Sequence, residues 1–459
     1  MKKTLGIGLV LLGAFSANSW AGVAEDRLMQ AVRSNDNAAV KSLLAGGADA
    51  NALLPDQSTI LGWAIDRQNN EAVNLLLAAG AKPNMLDPAG ISPLALACEL
   101  GDPAIVTSLL AAGANVKVAR PEGITPLHLC AGASTPLMLA ALIAKGADVN
   151  AADPQGQTPL MWAAMYGKPD NIAHLLKNGA KVNAVEKNGF TPLFFALRSK
   201  APQASMRLLD AGADVNAVVT DGASVVEAAV IVGNIPFAMQ AVSHGADLTH
   251  RDGQGRQVIH IAAATGDAAF VKLVQSKGGN PNAMTVQPPP PKPVAVAAVV
   301  SPKPAAGVAP IPVRGPPKPL PVPATPLQFA AKAGSVDAMK ALVAAGAKPN
   351  IKGPDGMTLA MAGAASGKLA AMKYAYELDP DLDVIARGGR SIMHIAVANK
   401  QAEEPEALVH FLIDKGAKLD VQDERKSTPG DDVNRGGAEN IRIFFIQLLR
   451  DKGIVSLAH

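Results

Sequence analysis

The chain repeats itself every 33 residues. Thr59, Ser92, Thr125, Thr158, Thr191 and Ser224 are each 33 apart, and Gln257 continues the register. A second column runs Gly47, Gly80, Gly113, Gly146, Gly179, Gly212, Gly245 and Gly278. A period of this length predicts a stack of similar supersecondary units, each touching only its neighbours, rather than one closed core. The 459 residues therefore say little about domain number, because such a stack is open-ended. Hydrophobic residues make up 49% of the chain but aromatics only 3%. The apolar share is therefore mostly Ala, Leu and Val, which suits thin layers of closely stacked helices.

The unit from Gln155 to Lys187 shows how one repeat is specified. Gly156 permits a tight turn. Thr158 can cap the free N–H groups of a helix, and Pro159 suits its first position. Leu160, Ala163 and Ala164 recur at helical spacing, and Gly167 ends the helix. Ile172, Leu175 and Leu176 form the apolar stripe of a second helix, which Gly179 and Ala180 break. Val182-Asn183 then leads into an extended turn. Each unit reads as helix, turn, helix and projecting β-turn.

The combination of Thr-Pro-Leu at 125–127, 158–160 and 191–193 with Gly-Ala-Asp-Val-Asn at 146–150 and 212–216 resembles the ankyrin repeat, whose period is also matched. The resemblance implies an all-α fold, an ankyrin-repeat solenoid of helix-turn-helix units with projecting β-turns. It extends over eleven recognisable units: a degenerate one from Asp26 to Pro55, seven between Ser58 and Val286, and three opening at Thr325, Thr358 and Ser391. Ten of the eleven carry the Gly that ends the second helix; the unit at Thr358 has Asp379-Pro380 there instead. The last unit holds four extra residues between Gln401 and Pro405. Ser427-Thr428-Pro429 opens a final helical piece that is expected to cap the stack, where atypical sequence is normal.

Residues 287–324 interrupt the pattern. Fourteen of these 38 residues are Pro, and Lys292, Lys303, Arg314 and Lys318 are their only charged groups. Such composition predicts extended polyproline II, which at full stretch spans roughly 120 Å. Two arrangements are open: a spacer between independent arrays, or a long insertion in one β-turn through which the arrays stack. The chain thus divides into 1–21, 22–286, 287–324 and 325–459.

The first 21 residues read as a secretory signal: Lys2 and Lys3, an apolar run from Leu5 to Phe15, and small residues at Ser19 and Ala21. The expectation is a periplasmic protein, with release from the cell as a variant. Removing Lys2 and Lys3 lowers the net charge from +3 to +1, so no broad attraction to nucleic acid is expected. No membrane insertion is expected after signal cleavage. Cys98 and Cys130 are the only cysteines and lie at neighbouring offsets of adjacent repeats. Stacked helices lie about 8–10 Å apart, whereas a disulfide needs Cα atoms within about 7 Å. Two buried free thiols are expected.

Nothing in the sequence assembles a catalytic, cofactor or metal site. His128, His260 and His394 share one offset, three after the cap column, but lie in non-adjacent units without Cys or carboxylate partners at that spacing. The resemblance implies that this His bonds the backbone of adjoining turns. It also implies that turn tips and first-helix ends line one concave, protein-binding side. Helix ends at the seventh and eighth positions after the cap then offer Leu100, Met165, Tyr166, Arg198 and Ile231; the turn residue before the cap offers Ile91, Ile124 and Phe190. Large apolar and aromatic groups beside Arg at exposed positions point to a partner surface. Tyr166, Phe190 and Arg198 are the expected centre, with Trp162 and Phe194 nearby but partly core. The functional expectation is a non-enzymatic scaffold, monomeric or in a heterocomplex, that binds a protein of the bacterial envelope. It includes an inhibitor or immunity protein for an exported enzyme. The alternatives are a periplasmic spacer or tether built on the Pro-rich segment, and a secreted effector that binds host proteins.

Overall fold

The structure is a computed structural model that describes residues 21–199, 201–220, 222–286, 324–353, 355–400, 402–436 and 439–454. The expected signal, up to residue 20, and the proline segment at 287–323 lie outside the described residues. Among the described residues there are 24 helices and no strand. The chain divides into two compact units, residues 1–187 with 210–212 and residues 188–209 with 213–459.

The first unit holds five helix pairs: α1 (Ala21–Arg33) and α2 (Asn37–Ala45), α3 (Ile60–Asp66) and α4 (Asn70–Ala78), α5 (Pro93–Leu100) and α6 (Pro103–Ala111), α7 (Pro126–Ala133) and α8 (Pro136–Ala144), α9 (Pro159–Met165) and α10 (Pro169–Lys177). The second holds α11 (Pro192–Arg198) and α12 (Pro202–Asp210), α13 (Val225–Ile231) and α14 (Ile235–Ser243), α15 (Val258–Thr265) and α16 (Ala268–Ser276), α17 (Pro326–Lys332) and α18 (Val336–Ala344), α19 (Leu359–Ser366) and α20 (Leu369–Leu378), α21 (Ile392–Ala398) and α22 (Pro405–Asp414), α23 (Pro429–Gly436) and α24 (Glu439–Asp451). Within each unit odd-numbered helices pack on odd and even on even, so two parallel rows form.

Local chemistry makes these boundaries. Thr59 Oγ1 accepts the Gly62 N–H at 2.9 Å and Ser92 Oγ the Ala95 N–H at 3.2 Å, caps that stabilise a helix by about 1 kcal/mol each. Ten of the twelve second helices end at glycines with φ between +83° and +97°, and a Cβ there would meet nothing within 4 Å. The demand is therefore for left-handed backbone, not for space. At α20 the chain ends its helix in another way, at Asp379 with φ −147° before Pro380.

Register between repeats is carried by one Asn column. Asn51 Nδ2 donates to Gly80 O at 3.0 Å while its Oδ1 accepts the Lys82 N–H at 2.8 Å. Asn282 makes the same pair of bonds, to Gly346 O at 2.9 Å and from Lys348 N at 2.8 Å, although its partners lie 64 and 66 residues on rather than 29 and 31. Helices α17 and α18 accordingly lie directly on α15 and α16, and Ser335 Oγ donates to Gly266 O at 2.7 Å. The turn bond that closes other repeats, such as Asp252 N–H to Arg256 O at 3.0 Å, recurs as Thr285 N–H to Ala324 O at 3.1 Å. Ala324 N–H returns a bond to Thr285 Oγ1 at 2.9 Å. The chain thus leaves after Val286 and returns at Ala324 through the closed neck of one β-turn. Replacing them with a tip of ordinary length is expected to raise stability by about 2 kcal/mol, the closure entropy of a loop roughly twelve times longer. Urea unfolding of the excised variant tests this; loss of cooperative unfolding would overturn it.

One expectation changes. Cys98 and Cys130 are joined in a disulfide, with Cα atoms 4.6 Å apart, so neither is a free thiol. Interaxial distance was the wrong measure: the two residues sit one position out of register on the packed helices α5 and α7, and their Cα atoms lie closer together than helix axes do. Small residues line this contact, and a Cβ on Gly101 would lie 3.2 Å from Ala133 O. Trp162 and Phe194 are core residues, 8% and 2% exposed.

Candidate functional site

In the first unit the caps fix where α5 and α9 begin, and so where their last residues emerge. Leu100 ends α5, and Met165 and Tyr166 end α9. Ile91 and Ile124 sit in the turns just before the caps, the first held by Asp87 Oδ1, which accepts the Ile91 N–H at 2.8 Å. Tyr166 is 40% exposed, while Ile91, Leu100, Ile124 and Met165 are half-buried, sheltered more than their sequence positions suggest.

Tyr166 is held rigidly. A Cβ on Gly132 would lie 2.6 Å from Tyr166 Cδ2, so the ring rests on α7 where no side chain intervenes. Its other neighbour is Trp162, with ring centroids 6.1 Å apart, and Trp162 meets the edge of His128 at 6.0 Å. His128 in turn accepts the Thr125 N–H at Nδ1 (3.2 Å) and bonds Gln157 O through Nε2 (3.1 Å). Burial first, and the charge of Glu99 second, push the Tyr166 hydroxyl above its ordinary pKa. Glu99 pairs with Arg120. Arg120 stands where Asp87 and Asp153 elsewhere accept N–H groups of their own turn, so this turn is tied to α5 of the preceding repeat instead.

In the second unit Phe190 is half-buried against Phe194 and Phe195, with centroids 5.7 and 6.1 Å away. Arg198, at the end of α11, is half-buried too; burial lowers its guanidinium pKa, though Arg stays charged. Ile231 ends α13 and is 66% exposed. Tyr166 belongs to the first unit, and Phe190 and Arg198 to the second.

One exposed apolar column escaped the sequence reading. Leu53, Leu86 and Val185 in the first unit, and Val218 and Ile385 in the second, stand six residues before their caps and are 44–61% exposed. Ala119 and Ala152 fill the two intervening places in the first unit, so that column is apolar through five consecutive repeats. The sequence does carry the signal, as a column 33 apart. It does not say which of two successive apolar residues faces outward. The turn backbone decides that: Leu54, Val219 and Ala386 point in, at 7–8% exposure, beside Leu53, Val218 and Ile385.

The three histidines are structural. Each is fully buried with both ring nitrogens engaged; His260 accepts the Gln257 N–H at 3.1 Å and bonds Ala283 O at 3.0 Å. His394 does the same with Ser391 N–H and Ser427 O. No lone pair is left for a metal. Gln328 performs the task with an amide, its Oε1 accepting the Thr325 N–H and its Nε2 donating to Met357 O. Glu227 fills the column with a charge and pairs with Arg256 at 3.2 Å, which also binds Asp252 at 2.7 Å. Among the described residues no group of three His, Cys, Asp or Glu could hold a metal ion, and no helix is long and apolar enough to cross a membrane.

A family model described as ankyrin repeats (3 copies) matches residues 28–120, 97–186, 127–219 and 325–423, which together cover well over half of the chain. No curated protein matches it.

Proposed function

Because the chain belongs to the ankyrin repeat family, whose arrays are protein-interaction modules, we propose that its first unit recognises a protein of the bacterial envelope. The contact row is drawn from the odd-numbered helix ends, with Leu100, Met165 and Tyr166, and from the exposed turn residues Leu53, Leu86 and Val185. The observation that carries this is Tyr166, a large amphipathic ring held by Gly132, Trp162 and His128 yet open to solvent. Rigid aromatic anchors lose little entropy on binding and dominate such surfaces. Phe190, Arg198 and Ile231 offer a similar row on the second unit.

The periplasm is the proposed compartment. It draws support from the basic and apolar N-terminal segment and from the Cys98–Cys130 disulfide, since disulfides persist where thiols are oxidised. An inhibitor or immunity role towards an exported enzyme suits a binding array with no chemistry of its own. A tether that holds two arrays apart has less support, because α17 packs directly on α15. Secretion to reach host proteins draws on the same signal segment.

Photocrosslinking from Tyr166 and Leu86 in periplasmic extract, read by mass spectrometry, tests the surface. A specific protein is expected from both positions, and Tyr166→Ala with Leu86→Asp is expected to weaken its binding at least tenfold. Unchanged binding by the double variant would overturn the assignment. Intact mass of the exported protein is expected to begin at residue 22.

A further inference from the structure

Two arginines stand in neighbouring repeats at the start of the first unit, joined through the backbone carbonyl of one of them. Arg33 ends α1, and Arg67 follows α3 as its cap. Both are exposed. Arg67 Nη2 donates to Arg33 O at 2.6 Å, and the Arg33 guanidinium lies over the Trp63 ring, 4.2 Å from its centroid. The ring is itself pinned: Trp63 Nε1 donates to Ser58 Oγ at 2.8 Å, and Ser58 Oγ donates to Asp56 Oδ1 at 2.6 Å.

Helix C-termini attract cations, which accounts for Arg at these places but not for what the rest of each fork does. A guanidinium carries five N–H donors. Stacking on Trp63 occupies the face of Arg33 and leaves its edge, and Arg67 uses a single nitrogen on a carbonyl. Two acids of these repeats are otherwise engaged. Asp56 accepts the N–H and hydroxyl of Ser58, bonds that hold its carboxyl below the usual range, with the Arg33 charge contributing least. Glu71 accepts from Asn37 at 2.7 Å. Among the described residues neither Arg33 nor Arg67 lies within 4 Å of a carboxylate.

We propose that Arg33 and Arg67, braced by Trp63, form a clamp for a carboxylate, and that the protein partner presents an acidic segment at this end of the row. The proposal rests on the binding role above and names the partner's chemistry there. Planar forks match carboxylates in a way Lys does not, and a braced fork has less freedom to lose. The clamp stands at one end of the row and Tyr166 nearer the other, so an acidic end and an apolar ridge would fix the partner's direction.

The test uses the full chain and a fluorescein-labelled octapeptide of alternating Glu and Gly, read by anisotropy at low salt, against the same peptide with Gln for Glu. Preferential binding of the Glu peptide is expected. Arg33→Gln and Arg67→Gln are each expected to weaken it about tenfold, with Arg67→Lys intermediate. Lys41→Gln, which removes an exposed charge on α2 outside the row, is expected to leave it unchanged, and because the peptide carries no apolar side chain its binding reads the clamp separately from the wider surface. Equal binding of the two peptides, or indifference to both Gln substitutions, would sink the proposal. So would Arg-dependent binding to phosphatidylglycerol vesicles without binding to the Glu peptide.

Discussion

Reducing the Cys98–Cys130 bridge is expected to destabilise the first unit by about 3–4 kcal/mol, the chain entropy released when a loop of some thirty residues is opened. The bridge spans 32 positions and joins two helices in neighbouring repeats. It therefore restrains the unfolded chain across almost one full repeat period. In a repeat array stability is a sum of local and nearest-neighbour terms, so the loss should concentrate around α5 and α7. Hydrogen exchange with and without reductant reads this directly: amides of α5 to α8 are expected to lose protection, and those of α21 to α24 to keep theirs. Cys98→Ala with Cys130→Ala should reproduce the effect, because Ala fits both fully buried sites without a clash. Two titratable thiols in protein denatured without reductant would show the bridge absent and remove the prediction.

Acidification is expected to remove a comparable amount through His260. Burial, the largest cause, lowers its pKa from 6.5 to about 4, against a smaller upward pull from the bond to Ala283 O. The folded state therefore binds fewer protons than the unfolded state between those values. Stability is fully present above pH 6.5 and is lost as pH falls towards 4. Each pH unit in that window costs up to about 1.4 kcal/mol, or about 3 kcal/mol in all. Burial lowers His128 in the same direction. The neighbouring repeat supplies the control, since Gln328 bridges cap and next turn without a titratable group. His260→Gln is expected to be nearly as stable as the parent at pH 7.5. By pH 4 it should have gained about 3 kcal/mol relative to the parent. Parallel stability curves for the two proteins would contradict the assignment. Carboxylates that titrate in both proteins cancel in the difference.

Much of the architecture was legible before any coordinates. Thr158-Pro159, Gly179 and the 33-residue columns mark helix starts and stops through capping and φ preference, which are local properties. The His column was legible for the same reason, as its Nδ1 bond lies within four residues of chain. The surface was legible only in part. Tyr166 and Ile231 emerge as expected, but Phe190 is covered by Phe194 and Phe195 from the same helix, and the outward column at Leu53, Leu86 and Val185 was missed. Exposure depends on how each turn backbone is aimed and how it folds against its own helix, which residue spacing does not state.

The sequence alone determined the repeat, its helix pairs, its caps and the position of the interruption, because these follow from short-range backbone chemistry copied eleven times. Tertiary structure alone decided that Cys98 meets Cys130, that α17 lies on α15 across residues 287–323, and that Trp63 braces Arg33. Each of these is a contact between repeats, and its geometry is set by how two backbones approach, a quantity that spacing along one chain does not contain.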